Sequence, residues 1–167
     1  MSTRYLQQLL QLKRIVVWCP EESQLSTRRR FEDWFEQHPP KSQISFIDGP
    51  EITEESGSKD QTLLILVATS SSLPGYVDKL AKEDWPLVLL PKIELLRASK
   101  EIRNALVEIG KQSKIRIIGP DSAACILPYQ TFLTPTTMGA LDLVSPIRKG
   151  NIAILTQSPS ITACIRD

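Results

Sequence analysis

One stretch of the chain limits the possible folds more than any other. Residues 62–68 read TLLILVA, an apolar run without a charged side chain. Such a run is typical of a β-strand buried on both faces, as in parallel sheets that are covered by helices. Residues 14–18 (RIVVW) form a second continuous apolar run after Arg14. We therefore expect these two strands to lie in the interior of a parallel sheet.

The rest of the first 128 residues alternates between strand-like and helix-like patterns. Phe31, Trp34 and Phe35 repeat at helical spacing, and Pro74 suits the first turn of another helix. Strands that alternate with helices imply a parallel sheet with right-handed crossovers. The predicted fold class is α/β, a Rossmann-like doubly wound parallel sheet of five strands. Its strands are predicted near residues 14–18, 43–48, 62–68, 87–90 and 114–118, and its helices near 26–37, 74–83 and 99–112.

Composition excludes several classes of partner. The chain has 167 residues and a formal net charge of +1, so no bulk attraction to nucleic acid or a membrane is expected. No apolar run is long enough to span a bilayer, and the first residues do not have a signal-peptide pattern. The three cysteines are widely spaced and odd in number, which favours reduced thiols, a cytoplasmic location and no metal site.

The candidate ligand-binding residues follow the predicted strands. In an open parallel sheet, ligands bind beyond the carboxyl ends of the strands. Small and polar side chains stand at three such ends and are the predicted cofactor-binding residues: Cys19, Pro20, Ser23, Thr69, Ser70, Gly119, Pro120, Asp121 and Ser122. Ser72, directly before Leu73 and Pro74, is predicted to be a helix N-cap instead.

Two segments resemble one enzyme superfamily. Gly119, Pro120, Ser122 and Pro128 match the spacing of the Gly-Pro-Asn-(Cys/Ser)-x-Gly turn of the NDP-forming acyl-CoA synthetases. That superfamily includes the succinyl-CoA synthetase α subunit and the protein lysine acetyltransferases of the same scaffold. Residues 149–158 (KGNIAILTQS) resemble the segment that opens the family's second domain.

The resemblance implies a division of the chain. Residues 1–128 correspond to the N-terminal CoA-binding domain, 129–149 to an extended linker, and 150–167 to the first strand and helix start of a second, flavodoxin-like α/β domain. The chain is then expected to be the first part of a longer protein. By the same resemblance Ser158 stands at a helix N-terminus that faces a phosphate, although a plain N-cap is compatible with the same position.

The resemblance also implies a ligand and an activity. The expected cofactor is coenzyme A or an acyl-CoA, and nucleotide would bind only to the missing part of the protein. The complete protein would form an acyl-CoA with nucleotide turnover, or transfer an acetyl group to lysine. The expected partners are a CoA thioester and the other domains of the same chain. No catalytic residue is predicted here, because nothing matches the family's catalytic His, nucleotide-grasp or acetyltransferase segments.

Several residues favour a different function, a degenerate Rossmann module for regulation or interaction that does not bind CoA. The loop at residues 19–25 lacks glycine and carries Glu21 and Glu22, which repel phosphate. Asp121 stands where the family usually has Asn, and Ala124 where it has Gly. A third possibility is a nicotinamide-binding domain, in which Asp48 would hold the ribose.

Overall fold

The computed structural model describes residues 12–37, 39, 42–52, 59–91 and 97–122, together with the backbone of 124–127 and 130–133. Five strands form an all-parallel sheet in the order β2-β1-β3-β4-β5. The strands are Arg14–Cys19 (β1), Gln43–Asp48 (β2), Thr62–Leu66 (β3), Leu87–Pro91 (β4) and Arg116–Ser122 (β5). The predicted Rossmann-like α/β fold is confirmed.

The two apolar runs lie where their composition predicts. Strand β3 is the middle strand of the five, and all five of its residues are buried. Strand β1 lies between β2 and β3 and is buried from Ile15 onward. Neither strand is at an edge of the sheet. This position fits their composition, because a strand that is apolar on both faces is stable where helices cover both faces of the sheet.

In the described part of the chain, three α-helices cover the two faces of the sheet. They are Leu25–Gln37 (α1), Leu73–Lys82 (α2) and Lys100–Gln112 (α3). Helix α1 packs Phe31, Trp34 and Phe35 onto the face formed by alternate residues such as Val17 and Ile65. Helices α2 and α3 pack on the opposite face, where Trp18, Leu64 and Leu66 lie in the core. Within the described residues no helix is long and apolar enough to cross a bilayer.

The strand order creates a switch point between β1 and β3. From β1 the chain crosses to β2 on one side, and from β2 it passes to β3 on the other side of β1. The loops that follow β1 and β3 then lead to helices on opposite faces of the sheet. Such a point is where doubly wound sheets open a crevice for ligands.

Strand β5 differs from its predicted form. The sequence predicts that the strand ends before a turn at Gly119, whereas the structure continues it to Ser122. A register shift between Leu89 and Pro91 pairs Pro91 with Ser122, the Gly119–Pro120 peptide is cis, and Asp121 has a φ of 65°. The backbone thus turns within the strand instead of leaving the sheet.

Two short strands follow that the sequence pattern does not predict. Ala124–Leu127 (β6) and Gln130–Leu133 (β7) pair as an antiparallel hairpin in a separate two-stranded sheet. Residues 134–167 lie outside the described part of the chain. Ser158, the predicted second domain and most of the predicted linker are among them, so they stay predictions.

Candidate ligand crevice at the switch point

The candidate ligand site is the switch point itself, between the loops that follow β1 and β3. These strands are parallel neighbours, and Trp18 is in register with Leu66. The backbone N–H of Val67 donates to the Trp18 carbonyl at 2.8 Å, which continues the pairing for one more residue. The two loops therefore leave the sheet side by side at its carboxyl edge.

The carboxylate of Glu21 joins these two loops. Glu21 Oε2 accepts a hydrogen bond from the backbone N–H of Thr69 at 3.3 Å, and Oε1 accepts one from the Thr69 hydroxyl at 3.3 Å. The Ser72 hydroxyl also donates to Glu21 Oε1 and lies beside the Thr69 hydroxyl. An internal carboxylate thus engages three donors that lie just ahead of helix α2.

The sequence correctly predicts that Ser72 lies at the N-cap of α2, but not which group its side chain contacts. Ser72 occupies the N-cap position of α2, but its side chain makes no cap hydrogen bond to the helix. Its hydroxyl donates to Glu21 instead. A hydrogen bond to an ionised carboxylate is roughly twice as strong as one between neutral groups, which explains the choice of partner.

The loop after β1 is folded around Glu21. The Glu21 carbonyl accepts from Gln24 N at 3.0 Å, at the short 3-10 turn Glu22–Gln24, and from Cys19 Sγ at 3.4 Å. The exposed Ser23 hydroxyl donates to Glu21 Oε2 at the long distance of 3.5 Å. Pro20 is buried. Cys19, Ser23 and Thr69, three predicted site residues, therefore all contact Glu21.

Burial and nearby carboxylates raise the pKa values of two side chains near the switch point. Burial raises the pKa of the Cys19 thiol, and the Asp48 charge raises it further. Burial also raises the pKa of the Tyr76 hydroxyl, with Glu21 as the next cause. Both shifts favour the protonated forms of these groups, and Cys19 is a buried residue of the core.

Asp48 is engaged with a cation of its own domain. Its Oδ1 lies 2.9 Å from Arg28 Nε in an ion pair, and Arg28 is also paired with Glu32 at 3.0 Å. The Arg28 guanidinium lies over the Phe46 ring, 5.1 Å from its centroid. A ribose hydroxyl would have to compete with this ion pair for the Asp48 carboxylate.

The motif residues in β5 have structural partners. Asp121 Oδ2 accepts a hydrogen bond from the backbone N–H of Ala98 at 3.0 Å, which ties β5 to the segment before α3. Gly119 has a φ of 109°, and a Cβ added there would lie 2.5 Å from the carbonyl oxygen of Leu90. A glycine is therefore needed for the close approach of β4 and β5, with or without a ligand.

The predicted site residues thus fall into two groups. In the first group Cys19, Ser23 and Thr69 contact Glu21 at the β1–β3 switch point, and Pro20 and Ser70 lie on the same two loops. The second group lies on β5, separated from β3 by β4, and consists of Gly119, Pro120, Asp121 and Ser122. Within the described residues, no group of three or more His, Cys, Asp or Glu side chains could hold a metal ion. Sequence reasoning identified Glu21 and Thr69 separately but missed their contact.

No protein-family model matches the chain, and no curated protein matches it. The resemblance to the acyl-CoA synthetases therefore rests on the two quoted motifs.

Proposed function

We propose that this chain is a Rossmann-like module of the NDP-forming acyl-CoA synthetase type that serves regulation or interaction and does not bind CoA. One observation carries the proposal: the Glu21 carboxylate is hydrogen-bonded to Thr69 and Ser72 at the switch point. The N–H and hydroxyl donors of Thr69 and Ser72, which would bind a ligand phosphate, donate to Glu21 instead. In this role the domain acts through its surface and through the other domains of a longer chain.

Electrostatic repulsion supports this proposal. A phosphate charge about 5 Å from Glu21 would be disfavoured by about 3 kcal/mol at an effective dielectric constant of about 20. That energy corresponds to roughly a hundredfold in affinity. Glu22 is exposed on the same loop and adds a second negative charge. A glycine-rich loop lets the diphosphate of a ligand approach the backbone closely, and the loop after β1 contains no glycine.

The geometry of Asp121 supports the same conclusion. An ionised carboxylate only accepts hydrogen bonds, so Asp121 cannot donate to a ligand carbonyl as the Asn of the family turn can. Its Oδ2 instead accepts from Ala98 N, within the domain. The family-like turn on β5 therefore has a structural use that does not require CoA.

A second candidate function is binding of CoA or an acyl-CoA after Glu21 turns away. Thr69 N, the Thr69 hydroxyl and the Ser72 hydroxyl are donors at the start of α2, and such groups bind phosphate well when they are free. The complete protein would then be an acyl-CoA ligase or a lysine acetyltransferase, as the resemblance implies.

A calorimetric titration separates the two functions. CoA, acetyl-CoA and NAD are titrated into the wild-type chain and into Glu21→Ala, with Glu22→Ala as the matched control on the same loop. We expect no saturable binding to the wild type, and CoA binding to Glu21→Ala that weakens as salt is raised. Submicromolar CoA affinity in the wild type would establish the second function. No binding to either protein would show that Glu21 is not what excludes CoA.

A further inference from the structure

We draw no further inference here: the strongest candidate, the groove of about 220 Å³ between the C-terminal halves of helices α2 and α3 lined by Asp78, Ala81, Lys82, Ile109, Gln112 and Ser113, carries nothing because no feature of the described part of the structure shows what would occupy it.

Discussion

Glu21 and Thr69 are 48 residues apart in sequence and are joined by two hydrogen bonds of 3.3 Å across the switch point of the sheet. The contact places a negative charge just ahead of helix α2, where the helix dipole favours it. It stabilises the two loops and occupies the donors of Thr69 at the same time. Under the proposed function, the stability of the two loops and the exclusion of CoA depend on the same carboxylate.

The first prediction concerns the stability that this carboxylate provides. Glu21→Gln removes the charge and leaves one amide oxygen to accept from three donors, so the free energy of unfolding should fall by about 1–2 kcal/mol. Urea unfolding measures the change. Glu22→Gln is the control, because Glu22 is exposed on the same loop, and its effect should stay within about 0.5 kcal/mol. Equal effects of the two substitutions would show that the Glu21 contacts contribute nothing specific.

The second prediction concerns the glycine in β5. Gly119→Ala would place a Cβ 2.5 Å from the Leu90 carbonyl oxygen at a φ of 109°, so we expect a loss of at least about 3 kcal/mol in the free energy of unfolding. Gly75 is the matched control. It lies in α2, and a Cβ added there would meet no atom within 4 Å apart from its chain neighbours and the backbone of its own helix.

The control should move in the opposite direction. Gly75→Ala improves helix propensity and should raise the free energy of unfolding by about 0.5–1 kcal/mol. Denaturant unfolding of both variants against the wild type tests the pair. A Gly119→Ala variant as stable as the wild type would contradict the close approach of β4 and β5.

The sheet could be predicted from the sequence because its signals are local. Continuous apolar runs identify buried strands, and residues 62–66 and 14–19 lie inside the sheet, as the runs require. Helical spacing in the same way identifies the buried face of α1, where Phe31, Trp34 and Phe35 pack.

The site was less predictable because its contacts depend on strand order. Glu21 can reach Thr69 only if β1 and β3 are neighbours in register, and no single segment encodes that. The partner of Ser72 was missed for the same reason. In β5, the conformation of Gly119 depends on Leu90 of the adjacent strand, so a turn was predicted where the strand continues.

The third prediction concerns pH. Burial, then the Asp48 charge, raises the pKa of Cys19 in the folded state. The unfolded chain loses this proton above its ordinary pKa of about 8.5, whereas the folded chain keeps it. The stability that Cys19 contributes through this pKa difference is therefore fully present below the unfolded pKa. It is lost as the pH rises through the raised folded pKa.

Unfolding at two pH values tests this linkage. Between about pH 7 and about pH 9.5 the free energy of unfolding should fall more in the wild type than in Cys19→Ala. Cys125 and Cys164 are present in both proteins, so their titration cancels in the comparison. Tyr76 shifts in the same direction, and Tyr76→Phe shows how much of the slope belongs to it. The same pH slope in the wild type and in Cys19→Ala would overturn the assignment to Cys19.

The last prediction concerns Asp121, whose carboxylate accepts from Ala98 N at 3.0 Å and whose φ is 65°. Three substitutions separate these two features. Asp121→Asn keeps an acceptor and tolerates the left-handed backbone, so it should cost less than about 1 kcal/mol. Asp121→Gly keeps the backbone freedom and loses the acceptor, which should cost about 1–2 kcal/mol. Asp121→Ala loses both and should be the least stable.

Melting curves on these three variants, and a CoA titration of the same substitutions made in Glu21→Ala, decide what Asp121 does. A carboxylate that spoils a CoA site would make Asp121→Asn gain about 1–3 kcal/mol of binding energy, with the gain shrinking in high salt. A carboxylate that ties β5 to the segment before α3 predicts the stability order Asn, Gly, Ala and no gain in CoA affinity. We expect the second result, because the hydrogen bond to Ala98 already uses the carboxylate within the domain. A salt-sensitive gain in CoA affinity with unchanged melting would reverse that conclusion.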